Sequence, residues 1–165
     1  MTKGAILPSI GIKTPTKDDA KSIYNLVKNS QTLDLNSQYL YLLLCTHFSS
    51  SCRIATHKDE IIGFCSSYAL PQDPSTLFVW QVVVSPAFKG RGIAKEMIKS
   101  VVEVIKPKHI SATIAPSIVA SRKLFKKLAD EYQSELTVSE FFSSKNFSSS
   151  HEEELLYTID LKENR

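Results

Sequence analysis

A single α/β or α+β domain with helices on both faces of one sheet is the fold class this sequence predicts. Three observations carry that reading. The strongest strand signal, Thr76 to Val84, is rich in β-branched and aromatic residues and sits mid-chain. Segments of helical period alternate with strand-like segments on either side of it. A chain of 165 residues, 42% of them hydrophobic, is also long enough to bury a core without staples.

Ile10 to Lys13 reads as a short first strand. Thr16 with Asp19 is a variant of the capping box, so a helix opens there and buries Ile23, Leu26 and Val27. The run Asn36 to Phe48 fits either a buried strand or a helix; its length and leucine content favour helix. Arg53 to Thr56 and Ile61 to Tyr68 form a hairpin around Lys58, Asp59 and Glu60. The near-continuous apolar residues of 76–84 predict a central strand covered on both faces. Ser85-Pro86 ends it. A helix follows from about Gly92, with Ile93, Met97, Ile98, Val101, Val102 and Ile105 on one side and Lys95, Glu96, Lys99 and Glu103 on the other. Pro107 stops it. His109 to Ala115 is a strand, and Ser117 to Tyr132 a helix with Leu124, Phe125 and Leu128 inward. Leu136 to Phe142 and Glu154 to Leu161 complete the sheet around a polar, serine-rich loop at Ser143 to Ser150. Neither a repeat nor a second domain is visible, and residues 1–165 read as one domain.

Composition narrows the function classes. No apolar run approaches the ~18 residues of a membrane span. Met1 to Ile10 lacks a basic start followed by a long apolar stretch, so no secretory signal is expected. Three cysteines, Cys45, Cys52 and Cys65, fit neither a disulfide framework nor a metal site and point to packed thiols in a cytoplasm. A net charge of +3 without a basic stripe argues against nucleic acid but suits a small polyanion.

Glycine is the unusual component. The chain has 5, and Gly90 and Gly92 lie two residues apart. They stand between the strongest strand and an amphipathic helix. Unpaired amides at that helix start, flanked by Lys89 and Arg91, form an anion site. The spacing matches neither the dinucleotide fingerprint nor the phosphate loop ending in Gly-Lys-Ser/Thr, so turn and ligand cradle both stay open on the residues alone.

The whole pattern resembles the acyl-CoA loop of the GCN5-related N-acetyltransferase (GNAT) family. Its signature is Arg or Gln, two residues, Gly, one residue, then Gly or Ala; Lys89, Gly92 and Ala94 take those positions, with Lys a charge-conserving departure. The resemblance implies the GNAT fold, a mixed and mostly antiparallel sheet of six to seven strands that is splayed at the acyl-CoA site. It implies acetyl-CoA as co-substrate, no metal, and homodimers. The backbone of Val82, Val83 and Val84 would hold the pantetheine arm and offer an oxyanion donor. The amides of Lys89, Gly90, Arg91, Gly92, Ile93 and Ala94 would hold the pyrophosphate, and Ser121 would also touch the cofactor.

Further strings resemble the branch of that family that acetylates the small diamine L-2,4-diaminobutyrate in ectoine (compatible solute) synthesis. They are Leu33-Asp34-Leu35-Asn36-Ser37 with Tyr39 and Tyr41 to Cys45, then Gly63-Phe64 and Thr76 to Val82. Pro116-Ser117, Ala120-Ser121-Arg122, Leu124-Phe125, His151-Glu152, Glu154 and Leu156-Tyr157 follow. An amine of pKa ~10 must lose a proton before attacking a thioester. Its site wants carboxylates for the ammonium groups and an aromatic wall for the short chain. The resemblance places Asp34, Tyr39, Trp80, His151 and Glu154 there, with Asp34 and Glu154 as ammonium acceptors and Glu154 the leading base. Taken singly, Asp34 reads as a cap or turn residue, Trp80 as core, and His151 to Glu154 as a solvated cluster entering an edge strand. His47, His57 and His109 read as surface or packing residues, and Tyr41 as a packing residue.

Two departures stand out. Ile118 replaces an Asn that contacts the cofactor arm in many members, and Phe125 replaces a Tyr that protonates the departing thiolate. No cysteine has a His-bearing motif, so direct attack is expected over an acetyl-cysteine relay. Acceptors of other length (ornithine, lysine, a polyamine) and a CoA-binding module without turnover remain the alternatives.

Overall fold

The helices and strands fall in the expected order in a computed structural model that describes residues 9–162. They are β1 (Ile10–Lys13), α1 (Ala20–Ser30), α2 (Gln38–Leu44), β2 (Arg53–His57), β3 (Glu60–Leu70), β4 (Asp73–Val84), α3 (Ile93–Ile105), β5 (His109–Ile114), α4 (Val119–Glu131), β6 (Glu135–Phe142) and β7 (Glu154–Asp160). The leader segment examined for a secretory signal lies, up to residue 8, outside the described residues. The sheet order is β1-β2-β3-β4-β5-β7-β6. Its β4–β5 pair is parallel, while β1–β2, β2–β3, β5–β7 and β6–β7 are antiparallel. The chain divides into two compact units, Met1–Tyr68 with Gln81–Lys106 and Ala69–Trp80 with Pro107–Arg165.

In the first unit, Thr16 and Asp19 form the expected capping box, but the first turn is a 3-10 turn and the α-helix proper begins at Ala20. Ile23 and Val27 of α1 are fully buried. Each contributes about 1.5–3 kcal/mol on that account, which stabilises a helix too short to persist alone. They pack with Tyr41 and Leu44 of α2 and with Ile54, Phe64 and Val83 of the sheet. The next residues along β2 and β3 face the other way. A Cβ at Gly63 would lie 3.1 Å from the Cβ of Ala55 and 3.2 Å from Cε of Met97, so the missing side chain is what admits α3 on that face. Helices thus cover both faces of this part of the sheet.

The β2–β3 hairpin turns through Lys58 and Asp59, both in the left-handed region at φ 49° and 63°, as a two-residue turn matched to strand twist requires. Glycine's scarcity shows at the helix ends. Gln31, Lys106 and Gln133 take the left-handed positions there that glycine commonly fills.

In the second unit, α4 packs on β7 through an edge-to-face contact of Phe125 with Tyr157, ring centres 6.3 Å apart. Leu77, Ile110, Leu128 and Ile159 are fully buried here. β4 starts three residues before the sequence pattern does. The Asp73 carboxylate accepts hydrogen bonds from Ser75 Oγ (2.6 Å) and Thr76 Oγ1 (2.5 Å), which lowers its pKa and fixes the strand start despite Pro74. Two further boundaries differ. Ser37, not Asp34, caps α2 by accepting from the Leu40 amide, and the helix ends at Leu44 because the amides of Thr46, His47 and Phe48 all turn back to the Leu43 carbonyl. β7 is not an edge strand, since it pairs with β5 on one side and β6 on the other.

Arg53 is buried at 4% exposure and its partners among the described residues are neutral oxygens: Nε donates to Ser100 Oγ at 2.9 Å and its terminal nitrogens to the carbonyls of Ser50, Cys52 and Ser100. Arg53→Leu strands those carbonyls. It is expected to lower unfolding free energy by about 2–4 kcal/mol in urea titration; a loss under ~0.5 kcal/mol would contradict this account.

Cys45, Cys52 and Cys65 are free and buried. Burial pushes the Cys45 thiol up to about 12 and the Cys52 thiol up to about 11, and raises Cys65 as well. A raised thiol pKa stabilises the fold below the unfolded-state value of 9.0 and withdraws that stability as pH climbs past it. Native protein at pH 8 is therefore expected to resist an aromatic disulfide reagent until denaturant is added. One thiol reacting at the free-cysteine rate would contradict it.

Candidate active site

The turn between β4 and α3 has the backbone geometry that an anion site needs. Ser85 N–H donates to the Ile62 carbonyl at 2.7 Å, and a 3-10 turn over Pro86–Phe88 follows. Gly90 and Gly92 then adopt φ of 79° and 76°. A Cβ on either would meet nothing within 4 Å. The backbone conformation, not crowding within the chain, is therefore what requires glycine. Gly92 occupies the N-cap of α3 and has no side chain to bond the first amides of that helix. Lys89 and Arg91 are exposed beside it, and the Arg91 guanidinium rests 5.1 Å from the centre of the Phe88 ring. Donors, helix dipole and two cations converge at one spot, which is what a pyrophosphate requires. Ile93 is buried and anchors the helix, while Ala94 is half-buried.

The strand leading to that turn alternates. Leu77, Val79, Gln81 and Val83 are buried, but Trp80 is 44% exposed and Phe78 and Val82 are half-buried. The expectation of full cover on both faces therefore fails, and Trp80 is not a core residue. An unbroken apolar run hides this because the open face also carries apolar side chains. The β4–β5 ladder holds only the pairs from Thr76–His109 to Phe78–Ser111, although β5 goes on pairing with β7 as far as Ile114.

Asp34 and Tyr39 lie on either side of the Ser37 cap, both exposed, Tyr39 at 67%. Tyr41 packs, as expected, at the centre of the first unit's core. Its hydroxyl donates to Gln81 Oε1 at 3.1 Å, and Gln81 Nε2 donates to the Asp34 carbonyl at 2.8 Å. Gln81 was missed as a site-building residue. Its signal was an amide in the middle of an apolar strand, and such a group must find partners when buried.

In the second unit, Glu154 begins β7 opposite Phe142 and is half-buried. The His151 ring stacks on Phe147 at 3.8 Å, and its Nδ1 lies 2.5 Å from the Glu152 carbonyl oxygen. A carbonyl only accepts, so Nδ1 carries the hydrogen and a neutral ring keeps its Nε2 lone pair for another partner. The Glu152 carboxylate accepts from Ser117 N–H at 2.9 Å and from Ser117 Oγ at 2.5 Å. That pair ties the segment before β7 to the start of α4, and sequence reasoning missed it too. Ile118 stands at the N-cap of α4, 44% exposed and without a capping side chain, and Ser121 is half-buried in the first turn. Phe125, at 2% exposure, is core and carries no proton. Of the remaining histidines, His57 bonds Ser9 Oγ and lies against Phe88, and His109 pairs with Asp160 at 3.2 Å. Among the described residues, no group of three or more His, Cys, Asp or Glu side chains is placed to hold a metal ion, and no helix is long and apolar enough to cross a membrane.

Comparison with known proteins agrees with this arrangement. The chain is 41% identical over 162 residues to the L-2,4-diaminobutyric acid acetyltransferase of Marinococcus halophilus, covering 96% of this chain and 93% of that protein. It is 41% identical over 152 residues to the enzyme of the same name from Halomonas elongata, covering 90% of this chain and 79% of that one. Diaminobutyrate acetyltransferase EctA from Paenibacillus lautus, solved with its substrate L-2,4-diaminobutyric acid and coenzyme A, superimposes with a TM-score of 0.87 at 35% identity, over 92% of this chain and 95% of that one. Residues 20–129, from the start of α1 to the last turn of α4, match the model of the acetyltransferase (GNAT) family, and to that family the chain belongs.

Proposed function

We propose that this protein transfers the acetyl group of acetyl-CoA to the 4-amino group of L-2,4-diaminobutyrate, giving N4-acetyl-L-2,4-diaminobutyrate for ectoine synthesis. The observation that carries the reading is the match, over nearly the whole chain, to relatives named for that acceptor and to a neighbour solved with it and with coenzyme A. Trp80 supports it, since an indole 44% exposed on β4 is accessible to a short substrate chain.

The reaction needs few groups. A neutral amine attacks the thioester carbonyl, an oxyanion forms, the carbon–sulfur bond breaks, and the thiolate takes a proton. Asp34 and Glu154 receive the substrate's ammonium groups, and Glu154 takes the proton that frees the attacking amine. Tyr39 and Trp80 wall the short chain. His151, with Nδ1–H already committed, offers Nε2 as a further acceptor. A backbone amide near Val82 or Val84 stabilises the oxyanion. The loop from Lys89 to Ala94 holds the pyrophosphate, and Ser121 contributes from α4. With Phe125 apolar and buried, the thiolate proton comes from water or from the amine itself. The three cysteines are protonated and enclosed, which favours direct attack. In the same reading, residues 1–165 are one acetyltransferase domain working as a cytoplasmic homodimer.

The test is release of free thiol from acetyl-CoA with diaminobutyrate, ornithine, lysine or spermidine offered in turn. Diaminobutyrate is expected to be fastest, with NMR placing the acetyl on its 4-amino group. Faster turnover with ornithine or spermidine overturns the acceptor, and no release with any amine overturns the enzyme. Glu154→Ala is expected to lower turnover by about 10²- to 10⁴-fold with CoA binding intact; an unchanged rate removes it as base.

A further inference from the structure

Gln81 is 5% exposed, and both polar atoms of its side chain help fix the segment before α2. Its backbone N–H donates to Ser66 Oγ at 3.1 Å, which holds the residue in the strand. Its side chain reaches the other way along one directional chain of hydrogen bonds. The Asn36 amide donates to the Tyr41 hydroxyl at 3.5 Å, that hydroxyl donates to Gln81 Oε1 at 3.1 Å, and Gln81 Nε2 donates to the Asp34 carbonyl at 2.8 Å. The polarity has one solution. The Asp34 carbonyl only accepts, so Nε2 must face it, which leaves Oε1 for the phenol. Both peptide groups flanking Leu35 are thereby held from the interior, although Asp34 and Leu35 are themselves exposed. The seven-residue connection between the two helices is held otherwise by Leu33 against the core, and its exposed part would sample many conformers without these bonds.

We infer that Gln81 is a positioning residue for the acceptor amine. Through Tyr41 and the Asp34 peptide it sets where the Asp34 carboxylate stands, and it touches neither substrate nor cofactor. This rests on the reading of Asp34 as an ammonium acceptor. It makes Gln81 a determinant of acceptor affinity, distinct from the cofactor loop that begins at Lys89, beyond the end of β4.

Three variants test it with acetyl-CoA and diaminobutyrate: Gln81→Met, which keeps the volume and removes both bonds; Tyr41→Phe, which keeps the bond to Asp34; and Asp34→Asn. Gln81→Met is expected to raise KM for diaminobutyrate about five- to tenfold, with KM for acetyl-CoA within twofold of the parent and faster amide exchange at residues 34–37. Tyr41→Phe is expected to raise the acceptor KM by no more than about threefold. A merely structural glutamine would lower the melting temperature and leave the KM ratio unmoved, and that result overturns the inference. An acceptor KM that rises in Asp34→Asn but not in Gln81→Met overturns it while sparing Asp34. An acceptor KM unchanged in Asp34→Asn overturns the reading of Asp34, and the inference with it. If Gln81→Met fails to fold, unchanged exchange at 34–37 in Tyr41→Phe overturns it.

Discussion

The first N–H groups of α3 project from a helix whose capping position is a glycine, with no side chain to satisfy them. Most helix starts solve that problem with Ser, Thr or Asp. Here the chain places left-handed glycines at 90 and 92 and puts Lys89 and Arg91 around them, so that no side chain caps those donors and, in the proposed reading, a pyrophosphate takes them. The rest of the arrangement follows from that choice. The strand before the turn leads to the same place, and its ladder with β5 runs from Thr76 to Phe78. A chain with few glycines fills the left-handed helix ends with Gln31, Lys106 and Gln133, yet keeps two glycines for this turn.

The acceptor side rests on a different device. Carboxylates and aromatics that meet an amine must be exposed, and exposed side chains on short connections wander unless the backbone beneath them is tied. Asp34 is tied from the interior by Gln81 and Tyr41, and the segment bearing His151 is tied by Glu152 to Ser117. In each case a polar residue fixes the backbone beside one that the proposed reading gives to the acceptor site. The buried thiols stand apart from both: enclosure holds them protonated, which favours the direct attack proposed above.

Much of this was legible in the residues themselves. Periodicity placed each helix and strand to within a few positions, and glycine scarcity pointed to the 90–92 turn before any coordinates. Boundaries slipped where side chains overrode pattern, as when the Asp73 carboxylate started β4 early and the repeated use of the Leu43 carbonyl ended α2 early. Trp80 read on its own as core, because an indole in an apolar run is usually buried, and its exposure is what shows otherwise. The place of β7 between β5 and β6 was hidden because strand order is a long-range property that local pattern does not encode. Gln81 and Glu152 were passed over for a related reason. Their importance lies in what they bond, and those partners are distant in sequence.

The most direct measurement is a calorimetric titration of the parent and of Gly92→Ala with CoA and, separately, with pantetheine, which lacks the pyrophosphate. A Cβ at this position meets no atom within 4 Å, so the change acts through backbone conformation and the protein should fold. The account requires CoA affinity to fall about tenfold or more, while pantetheine affinity stays within twofold. Undiminished CoA binding, or an equal loss for both ligands, would contradict the claim that this turn is the pyrophosphate site.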